Sequence, residues 1–123
     1  MWEISWTDEF AQWIISQDVD AAAREDIRAG LLLLRELGPG LGRPLADTLR
    51  GSKHSNMKEL RIQSNRRPFR IFYAFDPRRH AVLLVGGNKQ GDNRFYKVYV
   101  PLADKLFDSY LKEIDREKRK EKT

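Results

Sequence analysis

A chain of 123 residues, 41% of them apolar, is long enough for one domain with a two-layer core and too short for two. It has no cysteine, which excludes a disulfide framework and a cysteine metal site, and no apolar run longer than a strand, which excludes a membrane-spanning helix. The net charge of +5 is one-sided: residues 1–50 hold five basic and nine acidic residues, and residues 51–123 hold eighteen basic and nine acidic. Such a field suits a polyanion such as nucleic acid, and equally a solvated basic surface.

Residues 1–6 (MWEISW) alternate Trp2, Ile4 and Trp6 against Glu3 and Ser5, which predicts a short strand. This start has neither a basic n-region nor an apolar h-region, so no secretory signal is expected. With the lack of cysteine, that points to the cytoplasm. Thr7 is a good N-cap, with Asp8 and Glu9 in the first turn, for a helix ending near residues 16–17. A longer helix is expected over 19–37, capped by Asp18 or Asp20. Ile27, Leu31, Leu34 and Leu37 form its apolar face, and Gly38-Pro39-Gly40 stops it. The two helices read as a hairpin packed on a sheet. Residues 38–56 read as a long loop carrying Arg43, Arg50 and Lys53, pinned by Leu41, Leu45 and Leu49.

Residues 57–97 organise the rest. Strand-like runs at 57–63, 69–75 and 81–85 are separated by gaps too short for a crossover helix, so they must be antiparallel. Leu60 and Ile62 share one face of the first run, with Glu59, Arg61 and Gln63 on the other. Phe69, Ile71, Tyr73 and Phe75 share a face of the second, leaving Arg70, Phe72 and Ala74 opposite. Pairing Ile62 with Phe69 turns both apolar faces inward and sets Arg61 opposite Arg70. Two facing arginines repel, and an anion between them would remove that cost. Residues 81–85 (AVLLV) read as a central strand covered on both sides, followed by a glycine-rich turn from Gly86 to Asp92. A helical segment capped by Asp92 or Asn93 reaches Val100, with Phe95, Val98 and Tyr99 near one stripe. Pro101 breaks it, kinks it or opens a new helix. Leu102, Leu106, Tyr110 and Leu111 continue at helical spacing, and residues 115–123 read as a frayed helix end or charged tail.

The order NMKELRI, PFRIFYAFD and LLVGGNKQGDNRFYK resembles the RelE/ParE superfamily of toxins from type II toxin–antitoxin systems, closest to its phage-derived HigB-like branch. The resemblance covers nearly the whole chain. It implies a single α+β domain over residues 1–123: an N-terminal strand and two-helix hairpin packed on a four-stranded antiparallel sheet, and a C-terminal helix. It also implies a metal-independent, ribosome-dependent endoribonuclease acting on mRNA without a cofactor, or else a non-nucleolytic, ParE-like gyrase inhibitor or nucleic-acid-binding module. The implied partners are mRNA, the ribosome and an antitoxin of helix-turn-helix type.

The same resemblance carries site residues. Arg61 matches the basic position of the ELR strand and Arg70 the arginine of the next, where Phe69 stands in place of a frequent tyrosine. Lys89 matches the lysine after the last strand, and Arg94 with Tyr96 the basic residue and tyrosine that follow. Some HigB nucleases use histidine, but His54 and His80 lie outside the matched motif and read as surface residues.

Metal-free RNA cleavage needs a base for the ribose 2′-OH, cations for the pentacoordinate phosphorane and an acid for the leaving 5′-oxygen. Arg61 and Arg70 suit the clamp. Lys89 or Tyr96 suits proton transfer, while Tyr73 belongs to the core by its face. Lys58, Arg66, Arg67 and Arg94 are candidate RNA-backbone contacts, and the basic residues of the tail read as solvated, with non-specific RNA affinity as the functional alternative.

Overall fold

The computed structural model describes residues 1–121. Its elements are β1 (Glu3–Trp6), α1 (Asp8–Ile14), α2 (Ala21–Leu37), a 3₁₀ turn (Gly38–Gly40), β2 (Ala46–Thr48), β3 (Met57–Ser64), β4 (Arg67–Phe75), β5 (His80–Asn88) and α3 (Phe95–Glu121). The strands form one five-stranded sheet in the order β1-β5-β4-β3-β2.

The α+β class stands, but the expected four-stranded antiparallel sheet is instead five-stranded and mixed. β1 pairs with β5 in parallel, and β2 adds an antiparallel edge to β3. All the elements from α1 to β4 lie between β1 and β5, a connection long enough to return the chain for parallel pairing. β2 arises inside the expected loop, where Ala46, Asp47 and Thr48 pair with Leu60, Glu59 and Lys58. A three-residue strand without alternation exists only because β3 offers it an edge.

The central hairpin has the register read from the sequence: Ile62 faces Phe69 and Arg61 faces Arg70. The turn is tighter than expected. Asn65 and Arg66 alone form it, both at positive φ (50° and 65°), as a two-residue hairpin turn requires, so Arg67 and Pro68 belong to β4. One sheet face, with Leu60, Ile62, Phe69, Ile71 and Tyr73, packs under α1 and α2. The other, with Met57, Phe72, Ala74, Val82 and Leu84, packs under α3.

Thr7 caps α1 by accepting from the Phe10 N–H, and Asp20 caps α2 by accepting from the Ala23 N–H. α1 stops at Ile14, earlier than expected, because Ser16 folds back and its hydroxyl donates to the Trp13 carbonyl. The buried face of α2 is Ala23, Ile27, Gly30 and Leu34, and Leu37 at its end is half exposed. α3 runs unbroken through Pro101. The carbonyl that loses its donor belongs to exposed Lys97, where water can serve it. Val98 points outward, and the buried stripe is Phe95, Val100, Ala103, Phe107 and Ile114. The charged end is helical to Glu121 and not a tail, supported by an Arg119–Asp115 pair one turn apart; residues 122 and 123 lie outside the described residues.

Gly86 and Gly87 are strand residues, not the start of a turn. A register shift opposite Phe72/Tyr73 puts the successive residues Leu84 and Val85 both on the α3 side, so that Gly86 falls under α1 and Gly87 under α3. A Cβ on Gly86 would lie 2.3 Å from Trp13 Cζ3. Gly86→Ala is therefore expected to destabilise the fold by about 1–3 kcal/mol, read as a lower urea midpoint at unchanged m-value.

Candidate nucleic-acid interface

The site forms where the first turns of α3 cross the polar ends of β3 and β4. Strand alternation puts Glu59, Arg61 and Arg70 on the α3 side of the sheet. Gly87, paired with Arg70, has no side chain, so Phe95 and Tyr99 can settle over it and bring Tyr96 down onto Glu59.

The anion that relieves the two arginines is supplied by the protein itself. Glu59 Oε1 lies 3.1 Å from Arg70 Nε and 3.5 Å from Arg61 Nε, and accepts from the Tyr96 hydroxyl at 2.8 Å. The Arg70 contact is ionic: its Nε–H points off the hydrogen-bond line, while Arg70 Nη1 donates to the Phe69 carbonyl at 3.0 Å. Asp47 on β2 takes the other side of Arg61 at 3.3 Å. The Glu59 and Arg70 side chains are only 7% and 12% exposed, against 35% for Arg61, so Arg61 is the nearer of the two facing arginines to solvent. A groove of about 400 Å³ opens beside them, lined by Asp47, Leu49, Arg50, Glu59, Arg61 and Tyr96.

Burial, reinforced by the bond to Glu59, raises the Tyr96 hydroxyl above the ordinary tyrosine range. It therefore stays protonated at neutral pH and acts as a donor. The ring is held by Phe72, stacked at 5.9 Å, and by Phe95, edge-on at 5.5 Å. Lys89 Nζ sits 5.7 Å from the centre of the Tyr96 ring, a cation–π contact. Its backbone N–H donates to Pro68 at 3.0 Å, fixing the end of β5.

Arg61, Arg70, Lys89 and Tyr96 are thus brought together. Lys58, Arg66, Arg67 and Arg94 are not drawn into that cluster. Lys58 pairs across the hairpin with Tyr73 on the α2 side of the sheet. Arg67 is held by Asp20 at 3.0 Å and lies over the Phe69 ring. Arg66 is exposed at the hairpin turn, and Arg94 is exposed before α3, its N–H bonded to Asp92. The two histidines are both engaged away from the groove: His80 meets Ser5 at 2.7 Å and His54 meets Asp108 at 2.8 Å. Tyr73 is fully buried, as its face predicts.

Glu59 was not among the site residues expected from the sequence. Its place on the Arg61 face was legible, but its burial under Tyr96 was not. Asp47 was hidden in the apparent loop. Among the described residues, no helix is long and apolar enough to cross a membrane.

The profile of the phage-derived Gp49-like protein family matches residues 15–108, a span that holds the whole cluster. The chain belongs to that family. Two relatives from Mycobacterium tuberculosis carry toxin names. HigB2 is 39% identical over 122 residues, which are 95% of this chain and 60% of HigB2. HigB3 is 40% identical over 101 residues, 81% of this chain and 85% of HigB3. The chain therefore spans about three-fifths of the length of HigB2. These matches bear out the HigB-like resemblance carried by the ELR, FRIFY and GGNK segments. No solved structure matches this Gp49-like chain at a significant level.

Proposed function

We propose that this Gp49-like protein is the toxin of a toxin–antitoxin pair and that it cleaves mRNA on the ribosome. The toxin reading rests on its likeness to HigB2 and HigB3. The nuclease reading rests on one observation: Arg61, the Glu59 carboxylate and the Tyr96 hydroxyl converge at the wall of an open groove, with Arg70 behind them against Glu59.

In the proposed reaction the ribose 2′-oxygen attacks the adjacent phosphorus and the bond to the 5′-oxygen breaks. The products are a 2′,3′-cyclic phosphate and a 5′-hydroxyl. Arg61, the more exposed guanidinium, meets the incoming phosphate, and Arg70 adds charge from beneath. The phosphate competes with Glu59 for these guanidiniums, which frees the carboxylate to take the 2′-OH proton. Tyr96, kept protonated, or the Lys89 ammonium beside it returns a proton to the 5′-oxygen. Ribosomal positioning of the strand supplies the alignment that this small site lacks. A helix-turn-helix antitoxin is the proposed inhibitor, and the cytoplasm, where translating ribosomes reside, the proposed place of action.

The test uses purified protein with mRNA-programmed ribosomes. The wild type is expected to release fragments ending in 2′,3′-cyclic phosphate. Glu59→Gln, nearly isosteric, is expected to slow single-turnover cleavage by about 10²–10⁴-fold. Full-rate cleavage by Glu59→Gln would remove Glu59 as the base. Intact mRNA with the wild type, together with inhibited gyrase supercoiling, would move the protein to the ParE-like class.

A further inference from the structure

The loop joining β2 to β3 is the groove wall that belongs to neither sheet nor helix, and it is clasped to α3. The Ser52 hydroxyl donates to Asp104 Oδ1, and the Lys53 N–H donates to Asp104 Oδ2 at 3.1 Å. Lys53 Nζ pairs with Asp108 Oδ2, while His54 Nε2 meets Asp108 Oδ1 at 2.8 Å. The His54 ring lies edge-on to Phe107 at 4.9 Å, and the His54 backbone N–H donates to Ser52 Oγ at 3.0 Å. Two aspartates one helical turn apart thus hold three consecutive loop residues. Lys53 first and His54 after it draw the Asp108 carboxyl below its ordinary range. The cleavage chemistry uses none of these groups.

What the clasp presents is Arg50. This side chain lines the groove with Glu59, Arg61 and Tyr96 and is exposed. Arg61 is met by Glu59 and Asp47, and Arg70 by Glu59. Among the described residues no carboxylate is paired with Arg50. It is a cation at the groove without a counter-ion among the described residues, two residues from the first clasped position.

We propose that Arg50 is a substrate-binding residue for an RNA phosphate next to the scissile one, and that the Ser52–Lys53–His54 clasp on Asp104 and Asp108 positions it. The proposal rests on the nucleic-acid reading of the groove. In it, Arg50 contributes binding and no proton transfer, and the clasp residues act only through Arg50.

The experiment measures binding of a short, fluorescein-labelled 2′-O-methyl oligoribonucleotide, which lacks the nucleophile, by anisotropy across a salt series. Hydrogen exchange of residues 49–56 is followed on the same proteins. Arg50→Gln is expected to weaken binding several-fold and to reduce the log–log salt slope by about one, with exchange unchanged. The double variant Asp104→Asn/Asp108→Asn is expected to speed exchange in the loop alone and to lose the same affinity and slope. Wild-type affinity and slope in Arg50→Gln would overturn the Arg50 assignment and leave the nuclease reading standing. Unchanged binding with a released loop would overturn the clasp's role. Failure of the wild type to bind the probe would overturn both the nucleic-acid reading and the role of Arg50.

Discussion

Arg70→Ala is expected to leave a folded protein that no longer arrests growth. Arg70 faces Arg61 across the hairpin with only Glu59 between them. Its removal takes away one of two like charges, and Glu59 keeps Arg61 and Tyr96 as partners. The loss of stability is therefore modest, while the phosphorane loses a preorganised cation. Cleavage on programmed ribosomes should fall by about 10²–10³-fold, the loss typical of deleting one such donor. Arg70→Lys should restore part of it, since an ammonium supplies the charge without the guanidinium's span. Near-wild-type melting with lost cleavage is the expected pair of results. Undiminished toxicity in folded Arg70→Ala would contradict the site assignment.

Phe72→Ala is expected to carry the largest stability loss, about 3–5 kcal/mol. Phe72 is 1% exposed at the centre of the α3 side of the sheet. Its ring meets Phe95 edge-on at 5.9 Å, Tyr96 stacked at 5.9 Å and Tyr99 edge-on at 6.5 Å. Removing it opens a cavity under the first two turns of α3, which no neighbour is placed to refill. The same cavity loosens Tyr96, so cleavage should fall even in conditions where the variant remains folded. Phe72→Leu should recover most of the stability and less of the rate, because a leucine fills space without a face for Tyr96 to stack on. Urea denaturation checks the first effect. A loss below about 1 kcal/mol would mean that α3 is held chiefly elsewhere. The candidate is the far end, where Asp76 accepts from Tyr110 and Arg78.

The parts of this fold that were legible are those fixed by local rules. Alternation along Leu60–Ile62 and Phe69–Ile71–Tyr73 gave the faces, and a one-residue slip would have taken one strand's apolar set off the face it shares with the other, so Arg61 had to face Arg70. Thr7 gave the start of α1 by capping chemistry, and Asp20, one of two caps expected for α2, is the one used. The illegible parts depend on distant partners. Nothing in Ala46–Thr48 resembles a strand until β3 is alongside. The parallel pairing of β1 with β5 joins segments more than seventy residues apart. Gly86-Gly87 reads as a turn until Trp13 and Phe95 are seen to need the space.

The site divides the same way. Arg61 and Arg70 followed from the strand pattern, whereas Lys89 and Tyr96 came from the resemblance. Glu59 was on the correct face in plain view, but only the descent of α3 shows that it is the anion between the arginines. The expected RNA contacts Lys58 and Arg67 failed to join the cluster for local reasons. Lys58 has the opposite parity to Arg61, and Arg67 is spent on the Asp20 cap.

The measurement that bears most directly on the central claim is primer extension on abundant mRNAs after induced expression in cells, with wild type and Arg61→Ala/Arg70→Ala compared. New 5′ ends confined to translated regions are expected in the wild type and none in the double variant. Growth arrest with every mRNA intact, or identical cuts by a folded double variant, would contradict it.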